Sequence, residues 1–187
     1  MHLRRVTNIA RMDGVRRVVV GVDGSVGSLQ ALRRAVTEAR MRAVPLAAVI
    51  AWSAPGGEAA YRRTLDVRLK QLWEQGAWER LARAWDEALG GVPDDVDVQQ
   101  VAVRADAGKA LVCIGDNEND LLVVGAGRRN WLRRALIPSV PRYCAAHARC
   151  TVLLVPPSPL AQQMYHGVLP RLLRRKRAVN DLVGHGG

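Results

Sequence analysis

Apolar positions along this chain fall into short continuous runs, and segments with helical periodicity lie between them. Val18 to Asp23 is a run of apolar β-formers closed by Gly24-Ser25, the pattern of a strand buried on both faces. Ser25 can cap a following helix in which Leu29, Leu32, Val36 and Ala39 recur on one face. Leu46 to Trp52, opened by Pro45 and closed by Ser53-Ala54-Pro55-Gly56-Gly57, reads as a central strand. A long amphipathic helix is expected from about Ala60 to Leu89, weakened at Gly76 and stopped by Gly90-Gly91 and Pro93. Its stripe comprises Leu65, Leu69, Leu72, Leu81, Trp85 and Leu89.

A third strand is marked by Val96, Val98, Val101 and Val103, with a slip of phase at Gln99-Gln100. A short helix follows from Ala107 through Cys113, then a strand from Leu121 to Val124, with Glu118 and Asp120 in the loop before it. A helix over Val140 to His147 and a strand over Thr151 to Val155 complete the series before Pro156-Pro157. Strands alternating with helices across short connections give an open parallel α/β sheet with right-handed crossovers. The pattern lapses after Pro157, where Pro170 interrupts the apolar spacing.

Composition narrows the class. The chain has 187 residues, room for one domain with a real core. No window holds the ~18 uninterrupted apolar residues of a membrane span, and the basic start lacks the apolar block of a signal peptide. Cys113, Cys144 and Cys150 show no CxxC spacing, so neither a disulfide framework nor a zinc site is indicated. The chain reads as cytoplasmic.

The net charge of +11 is unevenly placed. Arg4, Arg5, Arg11, Arg16 and Arg17 outweigh Asp13 near the start, and Arg171, Arg174, Arg175, Lys176 and Arg177 outweigh Asp181 near the end. The expected organisation is therefore a basic extension over 1–15, an α/β domain over 16–157 and a basic extension over 158–187. Such charge suits an anionic partner, although an Arg-biased composition gives the same excess and no nucleic-acid motif accompanies it.

The order and spacing of Val19-Val20-Gly21-Val22-Asp23-Gly24-Ser25, Ile50-Ala51-Trp52, Asp120-Leu121-Leu122-Val123-Val124-Gly125 and Cys150-Thr151-Val152-Leu153-Leu154-Val155-Pro156 resemble the universal stress protein family. The resemblance spans Arg16 to Pro156. It implies a single five-stranded parallel sheet in the order 3-2-1-4-5 with helices on both faces, and a homodimer formed through the fifth-strand edge. It also implies ATP between strands 1 and 4, with Asp23 at the adenosine end and Ala51 packing on adenine. In that pattern a loop G-x2-G-x9-G-[S/T] holds the phosphates, because glycines let backbone N–H groups and a helix N-terminus approach the anion.

On this chain the loop begins at Gly125 and ends at Ser139-Val140, but it is degenerate. Arg128 and Pro138 replace its second and third glycines, with Gly127 one position early. Proline offers no N–H to a phosphate and fixes its own φ. Arg128, Arg129, Arg133 and Arg134 supply charge nearby, either to phosphate oxygens or simply to solvent.

Bland readings stand beside these. Asp23 can make an Asx turn, Ser139 can be only a helix cap, and Gly125 with Gly127 can serve tight packing in an empty site. Trp73, Trp78 and Trp85 suit core or interface anchoring, and Trp131 suits a lid or a partner contact. His2, His147, His166 and His185 are scattered, Lys109 falls in a helix assigned away from the strand ends, and no catalytic motif is present. The expectation is a regulatory protein and not an enzyme, either sensing ATP or acting without nucleotide as a scaffold for a protein partner.

Overall fold

The computed structural model describes residues 14–63, 66–126 and 139–156. All described elements belong to one compact unit, Met1–Pro156; the second unit, Pro157–Gly187, lies outside the described residues. The elements run β1 (Arg17–Gly21), α1 (Val26–Arg42), β2 (Leu46–Trp52), α2 (Gly57–Arg63), α3 (Val67–Leu89), β3 (Val98–Arg104), α4 (Ala107–Ile114), β4 (Asp120–Gly125), α5 (Val140–His147) and β5 (Thr151–Val155). The five strands are parallel, in the order β3-β2-β1-β4-β5.

Alternation along each strand divides the core into two layers. Val18, Val20, Leu46, Ile50 and Leu121 face α1 and α3, where they meet Leu32, Val36, Leu81 and Trp85. Val19, Ala47, Val49, Leu122 and Val124 face α4 and α5, represented by Leu111 and Cys144. Burial on both sides explains why these strands read as unbroken apolar runs. On β3, an edge strand, Gln99 and Gln100 are both exposed, which accounts for the slip in its alternation.

The expected long second helix is two helices. Asp66 opens α3 by accepting hydrogen bonds from the Arg68 and Leu69 amides at 2.8 and 3.3 Å, while Gly76 lies within α3 without breaking it. The apolar stripe is also partly corrected. Leu81 and Trp85 are buried with Ala77, Ala84 and Ala88, whereas Leu69, Leu72 and Leu89 are exposed. Leu65 lies outside the described residues. Trp73 packs against the core and Trp78 is exposed.

Five of the described arginines hold elements of the domain together or pair within it. Arg17 donates to both carboxylate oxygens of buried Asp120, at 3.1 and 2.6 Å, and to the Ile114 carbonyl at 2.8 Å. Asp120 is thus the first residue of β4, pinned to the first residue of β1, and not part of a loop. Arg33 donates to the Ala88 and Glu87 carbonyls, tying α1 to the end of α3. Arg40 makes a bidentate pair with Asp95, and Arg34 and Arg42 both pair with buried Glu38.

Candidate nucleotide crevice

Strand order reverses between β1 and β4, since α1 carries the chain from β1 to β2 on one side and β4 lies on the other. A crevice at the carboxyl ends of these two strands is where ligands bind in open α/β sheets. Asp23, Gly24 and Ser25 form the turn from β1 into α1 there, with Gly24 at φ 81°. Gly125 ends β4 on the other side, and α5 starts behind Ser139.

The Asp23 turn is fully built. The Ser25 amide donates to Asp23 Oδ1 at 2.9 Å, giving the Asx turn, and the Ser28 amide donates to Ser25 Oγ at 3.3 Å, capping α1. The Ser28 hydroxyl donates to the Ser25 carbonyl at 2.9 Å and accepts from the Asp23 amide at 3.2 Å. Partial desolvation pushes the Asp23 carboxyl up, but hydrogen bonds from Ser25 and Ser28 more than offset it, leaving Asp23 below its ordinary range. Asp23 is nevertheless exposed, so a negative group stands at the crevice rim.

Gly125 has a packing duty of its own. A Cβ on it would stand 2.5 Å from the Gly27 carbonyl oxygen and 3.1 Å from the Ser28 nitrogen. The end of β4 therefore presses directly on the first turn of α1. Ala126 continues into the loop, its amide bonded to the Val155 carbonyl at 2.7 Å.

Ser139 occupies the N-cap position of α5 but makes no side-chain cap hydrogen bond, so its hydroxyl is not spent on the helix. Val140 opens the helix, and Pro141 removes one of the first-turn donors. Neither α1 nor α5 carries an acidic residue in its first turn, which leaves the positive helix ends uncompensated within that turn. Ala51 is half-buried in β2, paired in register with Val103. Gly127, Arg128, Arg129, Trp131, Arg133, Arg134 and Pro138 lie outside the described residues.

Beside the crevice, Tyr61 of α2 packs against Trp52 and Trp73, with the Arg104 guanidinium 3.8 Å and the Lys70 ammonium 4.6 Å from its ring centre. Lys109 sits in the first turn of α4, whose cap Asp106 lies two residues past the end of β3, so it belongs to the carboxyl end of the sheet and not away from it. A groove of ≈ 510 Å³ at the opposite end is lined by Ala39, Ala43, Val44, Pro45 and Val96, and its Arg40 and Asp95 are paired to each other. Among the described residues no group of His, Cys, Asp or Glu is arranged to hold a metal. No described helix is long and apolar enough to cross a membrane.

The sequence pattern of the universal stress protein family matches residues 14–156, which include every described element. The chain belongs to the universal stress protein family. A universal stress protein solved in complex with cAMP is 28% identical, with a TM-score of 0.51 over 77% of this chain and 98% of that one. The universal stress protein UspA from Lactobacillus plantarum is 19% identical, with a TM-score of 0.54 over 75% of this chain and 97% of that one, and it shares the fold. No curated protein matches the chain in sequence.

Two features of this family member were not singled out from its sequence. Gly27 and Ser28 line the β4 side of the first α1 turn, and their signal is the spacing Asp23-Gly24-Ser25-Val26-Gly27-Ser28, which places a second hydroxyl three residues after the cap. The Arg17–Asp120 pin joins positions far apart in the chain, so no local pattern marks it.

Proposed function

We propose that this universal stress protein is a regulatory protein that binds an adenine nucleotide between the carboxyl ends of β1 and β4, and that it acts by binding and not by catalysis. The observation that carries the reading is the pre-built Asp23 turn at the switch point between β1 and β4, and the Ser139 side chain at the start of α5 makes no cap bond. Family membership and the cAMP held by the 28%-identical relative support it. In this reading Asp23 and Ala51 meet the nucleoside, while Gly127, Ser139 and Val140 meet phosphate. ATP is the ligand implied by the family pattern. Nucleotide extracted from the purified chain and identified by mass tests this: adenine nucleotide from the native chain, reduced by Asp23→Ala, supports it, and none from either speaks against it.

A nucleotide-free scaffold is the second reading. Gly125 is already required by its contact with Gly27, and Pro138 and Pro141 both lack an N–H, so the glycine pattern survives in part for packing alone. Either way, β5 is a sheet edge with Leu154 46% exposed, and we propose that two copies pair along it, in the cytoplasm. Sedimentation of the native chain against Leu154→Lys tests the dimer, which the lysine is expected to weaken.

A further inference from the structure

Ser28 occupies the third position of α1 and is 7% exposed. A buried hydroxyl needs partners, and this one has two, the Ser25 carbonyl and the Asp23 amide. Helix capping alone requires only the bond from the Ser28 amide to Ser25 Oγ. In an ordinary capping box the side chain at this helix position reaches back to the amide of the cap residue. Here the Ser25 amide is taken by the Asp23 carboxylate, and the Ser28 hydroxyl reaches two residues further back. Asp23 is thus held at both ends, its amide by the Ser28 hydroxyl and its carboxylate by the Ser25 amide, while Ser28 as well as Ser25 favours the ionised carboxylate. The backbone of the same Ser28 is backed by Gly125, which links the box to the end of β4.

We propose that Ser28 is a positioning residue of the nucleotide site, its hydroxyl fixing the backbone of Asp23 so that the carboxylate meets ligand in one orientation. The inference rests on the reading of the crevice as an adenine-nucleotide site. Ser28 touches no ligand in this account and acts only through Asp23.

The test is calorimetry of the full chain with AMP as probe, for the native protein, Ser28→Ala, Asp23→Ala and the double variant. Alanine is the better helix former, so Ser28→Ala keeps α1. Losing the hydroxyl is expected to weaken AMP binding roughly three- to tenfold, with no further loss when Asp23 is already alanine. An unchanged Kd in Ser28→Ala, or an equal loss in both backgrounds, overturns the proposal. Amide exchange in the nucleotide-free chain separates this from the functional reading. Ser28→Ala should speed exchange at the Asp23 amide and leave Val19 and Val20 protected; unchanged protection at Asp23 overturns the positioning role even if AMP binds. A native chain that binds no AMP removes the functional reading, and the exchange result still decides whether Ser28 holds Asp23.

Discussion

Gly125 at the end of β4 and Gly27 in the first turn of α1 meet backbone to backbone, close enough that a methyl group on Gly125 would stand 2.5 Å from the Gly27 carbonyl oxygen. Neither a strand residue nor a helix turn can yield there without moving the other. Gly125→Ala is therefore expected to lower stability by about 1–3 kcal/mol, the range for overpacking in a rigid setting. Gly76 gives the opposite sign. Its Cβ would face only the far end of Arg80 at 3.8 Å, so Gly76→Ala should stabilise α3 by roughly 0.5–1 kcal/mol. Denaturant midpoints of the two variants check the pair.

Arg17 and Asp120 close the amino end of the sheet, and Asp120 is almost fully buried. Removing the guanidinium leaves a carboxylate with little access to water. Because the Arg17 side chain is 34% exposed, the cost of Arg17→Met is discounted from the fully buried case to about 2 kcal/mol. Unfolding in urea measures it, and a loss no greater than that of an exposed pair would contradict the role of the pin.

Two cap residues separate structure from ligand chemistry. Asp66 accepts two first-turn amides of α3, so Asp66→Ala should cost about 1 kcal/mol. Ser139 has the cap position but no cap bond, so Ser139→Ala should leave the melting temperature nearly unchanged while weakening nucleotide binding. A melting temperature that falls as far as for Asp66→Ala would make Ser139 only a cap.

The Asp23 carboxyl, raised by partial desolvation and lowered further by the hydrogen bonds of Ser25 and Ser28, ionises below the ordinary 3.8. A carboxyl whose folded value is depressed adds stability above its unfolded value. That contribution fades as the pH falls through the folded one. The native chain should therefore lose stability more steeply than Asp23→Asn between about pH 5 and pH 2. Parallel acid-unfolding curves for the two would show that the turn does not hold the carboxylate.

Much of the fold is legible in the sequence, and the exceptions have causes. Leu46–Trp52 and Thr151–Val155 stood out because each is a sheet strand bounded by proline on at least one side. Gly76 is tolerated inside α3 because a mid-helix glycine costs only about 1 kcal/mol and Ala77 and Leu81 beside it are buried. Asp120 read as loop because its partner Arg17 is distant in sequence and supplies the charge that allows its burial. At the candidate site, the Asx turn of Asp23 and the cap position of Ser139 are legible from their places at element ends, whereas their proposed ligand roles come only from the family pattern. The contact of Gly125 with Gly27 is not legible, since only the fold brings the end of β4 onto the first turn of α1.

We propose that an adenine nucleotide sits between β1 and β4, on the Asp23 turn. Calorimetric titration of the nucleotide-stripped full chain with AMP, cAMP and Mg-ATP tests it most directly. Saturable binding of at least one of them, weakened by Asp23→Ala and by Ser139→Ala, is the predicted result. No binding of any of the three at millimolar concentration would contradict it and leave the crevice to the scaffold reading.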